Sequence, residues 1–337
     1  MKIIFKGVFY LIICILLILS LGIVSAQDND NLNILSLNNT VPTYNSENNG
    51  IWVLYEDMDS VNLDELSKMG IHNIFLSADA FSLDKTNPKT VKFISNAKSK
   101  NIKVHAWMSV FNNEGIWQYP KYNNSSFNKT YANKITKRVL KLVKNYDVAG
   151  IHLDYVRYAG DAYLHKGSSH AVTRVVKQIS GSVKDYNPNL IVSAAVMPEI
   201  TQYNSYYTTN EYFYGQNITE LSKYLDIIVP MMYKGNFNEN GVWIKNITQA
   251  FVNNSIKSEV WVGLQGYHSD YNTKLFSSSS LKKDVNYSIE SGASGVVLFR
   301  YGYVSYFDFD DLDSISVPKY TSKTIKFINI LDFLIVN

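Results

Sequence analysis

The chain has 337 residues, 46% hydrophobic, 18% charged and 14% aromatic, with a formal net charge of +3. That composition supplies a full core and excludes a disordered tail, a stapled mini-protein and a basic arm. Taking away Lys2 and Lys6 with the first 26 residues leaves 30 basic against 29 acidic residues, so charge points to no polyanionic partner and no nucleic acid.

At the N-terminus, Lys2 and Lys6 precede an apolar run from Gly7 to Val24, and Val24-Ser25-Ala26 has the small residues that signal peptidase accepts. Residues 1–26 therefore read as a secretory signal. The run also approaches the ~20 residues of a membrane span, which leaves an uncleaved anchor and a membrane tether open. In either case the expected location is secreted or on the extracellular face of the membrane. The single cysteine, Cys14, lies in this run and follows a bulky Ile13, so neither a disulfide nor a lipobox is expected. Eight Asn-x-Ser/Thr sequons, the first at Asn38, fit a glycosylated surface in a host with that machinery. Residues 27–49 are rich in Asn, Ser and Asp and read as a poorly ordered spacer.

From residue 50, eight β-branched and aromatic runs follow: Gly50 to Tyr55, His72 to Ala80, Ile102 to Phe111, Val148 to Tyr158, Leu190 to Pro198, Asp226 to Tyr233, Glu259 to Tyr267 and Ala293 to Arg300. Between them, segments such as Asn62 to Met69, Pro88 to Lys100, Tyr131 to Tyr146, Ala171 to Tyr186 and Leu281 to Ser291 carry apolar residues at helical spacing. Near-continuous apolar strands imply a parallel sheet covered on its outer face. Eight such units predict an α/β fold, a (β/α)8 TIM barrel over 50–312, as a single domain. No Gly-x-Gly-x-x-Gly turn or P-loop follows a strand, which argues against a doubly wound sheet. Residues 313–337 form a C-terminal extension, whose apolar stretch Ile325 to Val336 is too short to span a bilayer.

In such a barrel the chemistry lies at the C-terminal strand ends. The fourth strand ends Gly150-Ile151-His152-Leu153-Asp154-Tyr155-Val156-Arg157-Tyr158. Alternation puts His152 and Asp154 toward the axis and Ile151, Leu153 and Tyr155 toward the helices. A buried carboxylate needs a partner, for which Arg157 is near in sequence. The fifth strand ends Met197-Pro198-Glu199, delivering a second acid next door. Two carboxylates on neighbouring strand ends suit glycoside hydrolysis, with Asp154 ionised beside a cation and Glu199 as the acid. Asp79, Trp107, Ser109, Tyr233, Gln265, Tyr267, Arg300 and Tyr301 at other strand ends could grip a sugar by hydrogen bonds and ring stacking. The connection after strand three carries Trp117, Tyr119, Pro120 and Tyr122 and could wall a cleft. Glu114, Asp270, Glu56 and Asp57 are further candidate acids.

Residues 150–158 resemble the G-I-x-x-D-Y-x-R-[YF] signature of glycosyl-hydrolase-like barrel domains of secreted microbial proteins. That resemblance spans about residues 50–312 and implies a glycosidase-type site with Asp154, Tyr155 and Arg157 at matching positions. An acid at strand four with a Glu at strand five also resembles the alpha-amylase layout, which implies Asp154 as nucleophile and Glu199 as acid/base. Val229-Pro230-Met231-Met232-Tyr233 is similar to the Met-x-Tyr strand of family 18 chitinases, whose Tyr assists a substrate N-acetyl group. The chain departs from those chitinases two residues beyond Asp154, where Val156 stands in place of their Glu.

The expected function is a secreted glycosidase acting as a monomer on an extracellular or cell-envelope polysaccharide. A non-catalytic carbohydrate-binding barrel is the alternative. No cofactor or metal is expected, because the six histidines show no His-x-x-x-His spacing. Ser-His-Asp chemistry lacks its Gly-x-Ser-x-Gly elbow.

Overall fold

The computed structural model describes residues 43–309 and 312, apart from 114, 121, 124, 125, 128 and 203. The expected signal or anchor, most of the spacer, the C-terminal extension and Glu114 lie outside the described residues.

Eight parallel strands close into a barrel in sequential order: β1 (Gly50–Val53), β2 (Asn73–Ser77), β3 (Lys103–Ser109), β4 (Gly150–Asp154), β5 (Ile191–Val196), β6 (Ile227–Met232), β7 (Glu259–Gln265) and β8 (Gly295–Phe299). β8 pairs back onto β1 through Ile51 and Leu298, completing the (β/α)8 architecture. Every strand is shorter than its sequence run because the last residues of each run turn out of the sheet to form the mouth.

The helices are α1 (Leu63–Lys68), α2 (Pro88–Ser99), α3 (Lys129–Asn145), α4 (Ser168–Tyr186), α5 (Thr209–Tyr214), α6 (Ile218–Leu221), α7 (Gly241–Asn254) and α8 (Ser278–Glu290). Their starts follow local chemistry. Asn87 accepts from the Lys89 N–H with Pro88 in the first turn of α2, and Asn240 accepts from the Val242 and Trp243 N–H groups at α7. On α3 the buried face is Ala132, Ile135, Thr136, Val139, Leu142 and Val143, a three- and four-residue spacing that packs on the barrel wall. Each fully buried Val, Ile or Leu in this layer contributes roughly 1.5–3 kcal/mol.

Strand alternation divides the core in two. Ile51, Ile74, Ile151, Leu153 and Val192 pack outward against helices, whereas Trp52, Phe75, Ile227, Val229, Trp261 and Val297 fill the barrel interior. His105 and His152 share that interior, His152 lying 4.5 Å from the Phe75 ring and 5.7 Å from Trp52. Gly150 is required there, since a Cβ would stand 2.2 Å from the Ile191 carbonyl oxygen and 2.9 Å from His105 Nδ1.

The last part of the expected spacer belongs to the barrel. Asn45 N donates to Ser294 O at 3.0 Å, Asn48 Nδ2 to Glu259 Oε2 at 3.0 Å, and Asn73 Nδ2 to Glu47 O at 2.8 Å. Residues 44–49 thus close the N-terminal face of the barrel. Their polar composition resembles a linker, but their backbone and the Asn48 amide bond groups at the N-terminal ends of the strands.

Candidate active site

The C-terminal mouth opens into a cavity of about 520 Å³. Its floor is Trp52, Trp107, Ala195, Met231 and Phe299, all inward positions of their strands. Its walls carry the polar groups Asp154, Tyr155 and Arg157 on the β4 side, Tyr233 and Asn236 after β6, Tyr267 and Asp270 after β7, and Arg300 after β8. Of the residues expected to form a site, Asp154, Trp107, Tyr155, Arg157, Tyr233, Tyr267 and Arg300 come together here.

Asp154 ends β4 with its carboxyl enclosed. Oδ2 accepts from Trp107 Nε1 at 2.9 Å and Oδ1 from the Tyr155 N–H at 2.6 Å. Burial pushes its pKa up, opposed by these two hydrogen bonds and, more weakly, by the Arg157 charge. The expected ion pair between Asp154 and Arg157 is therefore corrected. No Asp154–Arg157 ion pair forms among the described residues, and desolvation outweighs the distant cation.

Arg157 is instead held by rings, its guanidinium 5.0 Å from Trp117, 5.3 Å from Tyr155 and 5.4 Å from Tyr214, with one Nη donating to Tyr158 O at 3.0 Å. Tyr155 takes a left-handed φ of +48° directly after the strand, which carries its ring to the mouth and not to the helix-facing layer that alternation assigns it. Trp117 packs edge-on against it at 5.7 Å. The connection after β3 thus buttresses the β4 wall.

Glu199 is not part of the cavity lining. It lies three residues beyond the end of β5, where Oε1 accepts from Tyr214 OH at 3.0 Å and Oε2 is buried without a partner among the described residues. Burial raises its pKa, against the Tyr214 hydrogen bond, and pushes the Tyr214 hydroxyl up to about 12. The neighbouring-strand pair of Asp154 and Glu199 is thus not brought together in the cavity. Asp79 sits exposed in the short turn Ala78–Ala80, away from the lining. Gln265 is buried beneath the wall, donating to Asp270 Oδ1 at 3.4 Å.

The second carboxylate in the lining is Asp270, in the hairpin Tyr267–Ser269 with Asn272–Leu275. Oδ1 accepts from Tyr267 OH at 3.1 Å, Oδ2 from Asn236 Nδ2 at 2.9 Å, and its own N–H donates to Asn236 Oδ1 at 2.9 Å. Gly235 lets the β6 loop meet this hairpin, since a Cβ there would overlap the His268 carbonyl. Next to it, Lys234 pairs with Asp284 of α8 and lies 4.4 Å over the Phe276 ring. Between the two acids stands Tyr233, its pKa pushed far up by burial and by the charges of Asp154 and Asp270. Arg300 pairs with Asp57 at 2.7 Å.

Trp52 and Phe299 were open to discovery by the alternation that places Asp154, applied to β1 and β8. Asn236 and Phe237 carry no such signal, because loop packing alone brings them to the mouth. At the position of the chitinase acid, Val156 is fully buried in the outer layer.

No family model matches the sequence, and no curated protein does. Solved structures do. The PgaB (BpsB) glycoside hydrolase domain from Bordetella bronchiseptica is 12% identical with a TM-score of 0.55, over 74% of this chain and 93% of that one. The shared fold is the TIM barrel. A plant class V chitinase mutant from Cycas revoluta in complex with (GlcNAc)3 gives 12% identity and a TM-score of 0.53 over 79% of this chain and 96% of its own. The Ignisphaera aggregans GH53 catalytic domain gives 12% and 0.51 over 77% and 86%. At such identities the likeness is one of fold.

Proposed function

We propose that the protein is a secreted glycoside hydrolase acting on an extracellular or cell-envelope polysaccharide. In this reading Asp154 donates the proton and Asp270 is the second carboxylate, in place of Glu199. The observation that carries it is Asp154 itself, a carboxyl at the end of β4 whose pKa burial raises, lining an aromatic cavity at the C-terminal mouth. Trp107 and Phe299 offer ring faces to the C–H side of a sugar, while Tyr233, Tyr267 and Asp270 offer hydroxyl partners. Release of reducing ends from a panel of polysaccharides tests it, with Asp154→Asn as the control. Activity should fall by about 10²–10⁴-fold in the variant, the usual worth of a proton-transferring side chain. Equal activity in the variant, or none in the wild type on any polysaccharide, would contradict the assignment.

A carbohydrate-binding barrel without catalysis is the second reading. It is favoured by the engagement of both Asp270 oxygens by protein donors. Binding of a glycan without its cleavage distinguishes it.

A further inference from the structure

The two arginines at the mouth differ in how their charge is answered. Arg300 faces the Asp57 carboxylate at 2.7 Å. Arg157 has no carboxylate within the 4.0 Å of an ion pair among the described residues, and its one hydrogen bond goes to the Tyr158 carbonyl. Asp154 and Glu199 feel its charge only at longer range, since it lowers both their pKa values as the weakest of the causes acting on each. A half-buried guanidinium with most of its five N–H donors unassigned, on the wall of a cavity, is poised for a ligand anion.

Three rings surround it. Trp117, Tyr155 and Tyr214 lie 5.0, 5.3 and 5.4 Å from the guanidinium carbon; their π faces attract the charge without pairing its N–H groups one by one, so those donors stay available to a ligand. The cavity is also polarised. Arg157 is on the β4 side, whereas Asp270 stands after β7, three strands further around the closed sheet and tied down by Asn236 and Tyr267. An anionic group can therefore dock at the β4 wall without meeting Asp270 directly.

We infer that the sugar unit filling this cavity carries a single negative charge, a carboxylate or a sulfate ester, bound through the edge of Arg157. This rests on the glycosidase reading and names its substrate class: an acidic glycan. One cation on a nearly neutral protein suits a chain with scattered acidic units better than a dense polyanion.

The test is binding of the full protein at about 50 mM salt, where surface charge is weakly screened, to an array of glycan pairs. Each pair is an acidic oligosaccharide and its carboxyl-reduced or desulfated counterpart. Among the pairs bound, the acidic member should bind at least about tenfold tighter, and the preference should fall toward one in Arg157→Gln. Carboxylate and sulfate pairs tell the two sources apart. Arg157→Lys, which keeps the charge and the stem but loses the planar fork, should cut the preference several-fold and serves if Arg157→Gln does not fold. Equal binding of both members by the wild type, or a preference that survives in both variants, overturns the inference while leaving the glycosidase reading in place. Neither binding nor cleavage of any glycan overturns both.

Discussion

His152 and Asp154 stand two residues apart on one inward-facing strand edge, roughly 7 Å along β4, and the molecule treats them in opposite ways. His152 is packed among Trp52 and Phe75, Nδ1 lies 2.8 Å from Ser193 Oγ, and burial drives its pKa down to about 3. One layer higher, Asp154 opens into the cavity, and burial drives its pKa up. Desolvation pushes both toward the neutral form, lowering the pKa of the base below and raising that of the acid above. The lower layer is core. The upper layer lines the mouth cavity because the sheet ends there, and Tyr155 turns away through a left-handed φ.

The comparison can be broken most strongly from the wall that holds Asp270. Lys234→Met leaves Asp284 buried and unpaired and should cost about 3–5 kcal/mol of stability, read by urea unfolding. A change below about 1 kcal/mol would mean that the pair does not pin the β6 loop.

The lower layer predicts acid sensitivity. His105 and His152 both have folded pKa values of about 3, below the unfolded value of 6.5. Between these values the unfolded chain binds protons that the folded chain does not, so stability is full above pH 6.5 and is lost as pH falls toward 3. Each histidine should contribute a slope of up to about 1.4 kcal/mol per pH unit. Unfolding measured from pH 7 to 5, before most carboxylates titrate, should show this slope, and a flat profile would place the imidazoles in contact with water.

The upper layer predicts a shift in the pH profile of activity. The Trp107 N–H favours the charged form of Asp154, so Trp107→Phe should raise that pKa further and move the alkaline limb of the activity profile to higher pH. A drop of about tenfold in kcat/KM should accompany the loss of this hydrogen bond. An unmoved limb would show that Asp154 is not the group titrating.

The barrel was legible because parallel strands buried on both faces read as apolar runs, and because alternation fixes which residues look inward: His152 and Asp154 follow that rule, as do Trp52 and Phe299. The rule ends where a strand ends. Tyr155 escapes it through one left-handed dihedral angle, and Glu199 through three residues of loop and the hydroxyl of Tyr214, fifteen positions away. Asp270 could be named as a candidate acid, but its place at the mouth depends on Gly235 and Asn236 from another loop. The Asn-rich stretch before β1 looks like a spacer by composition and becomes a plug only when its amides meet Glu259 and Ser294.

The most direct measurement compares Asp154→Asn, Asp270→Asn and Glu199→Gln on one cleaved glycan. The account predicts losses of at least about 10²-fold for the first two and a rate within about threefold of wild type for Glu199→Gln, whose carboxyl does not line the cavity. An inactive Glu199→Gln beside an active Asp270→Asn would contradict it, and would return the second carboxylate to β5.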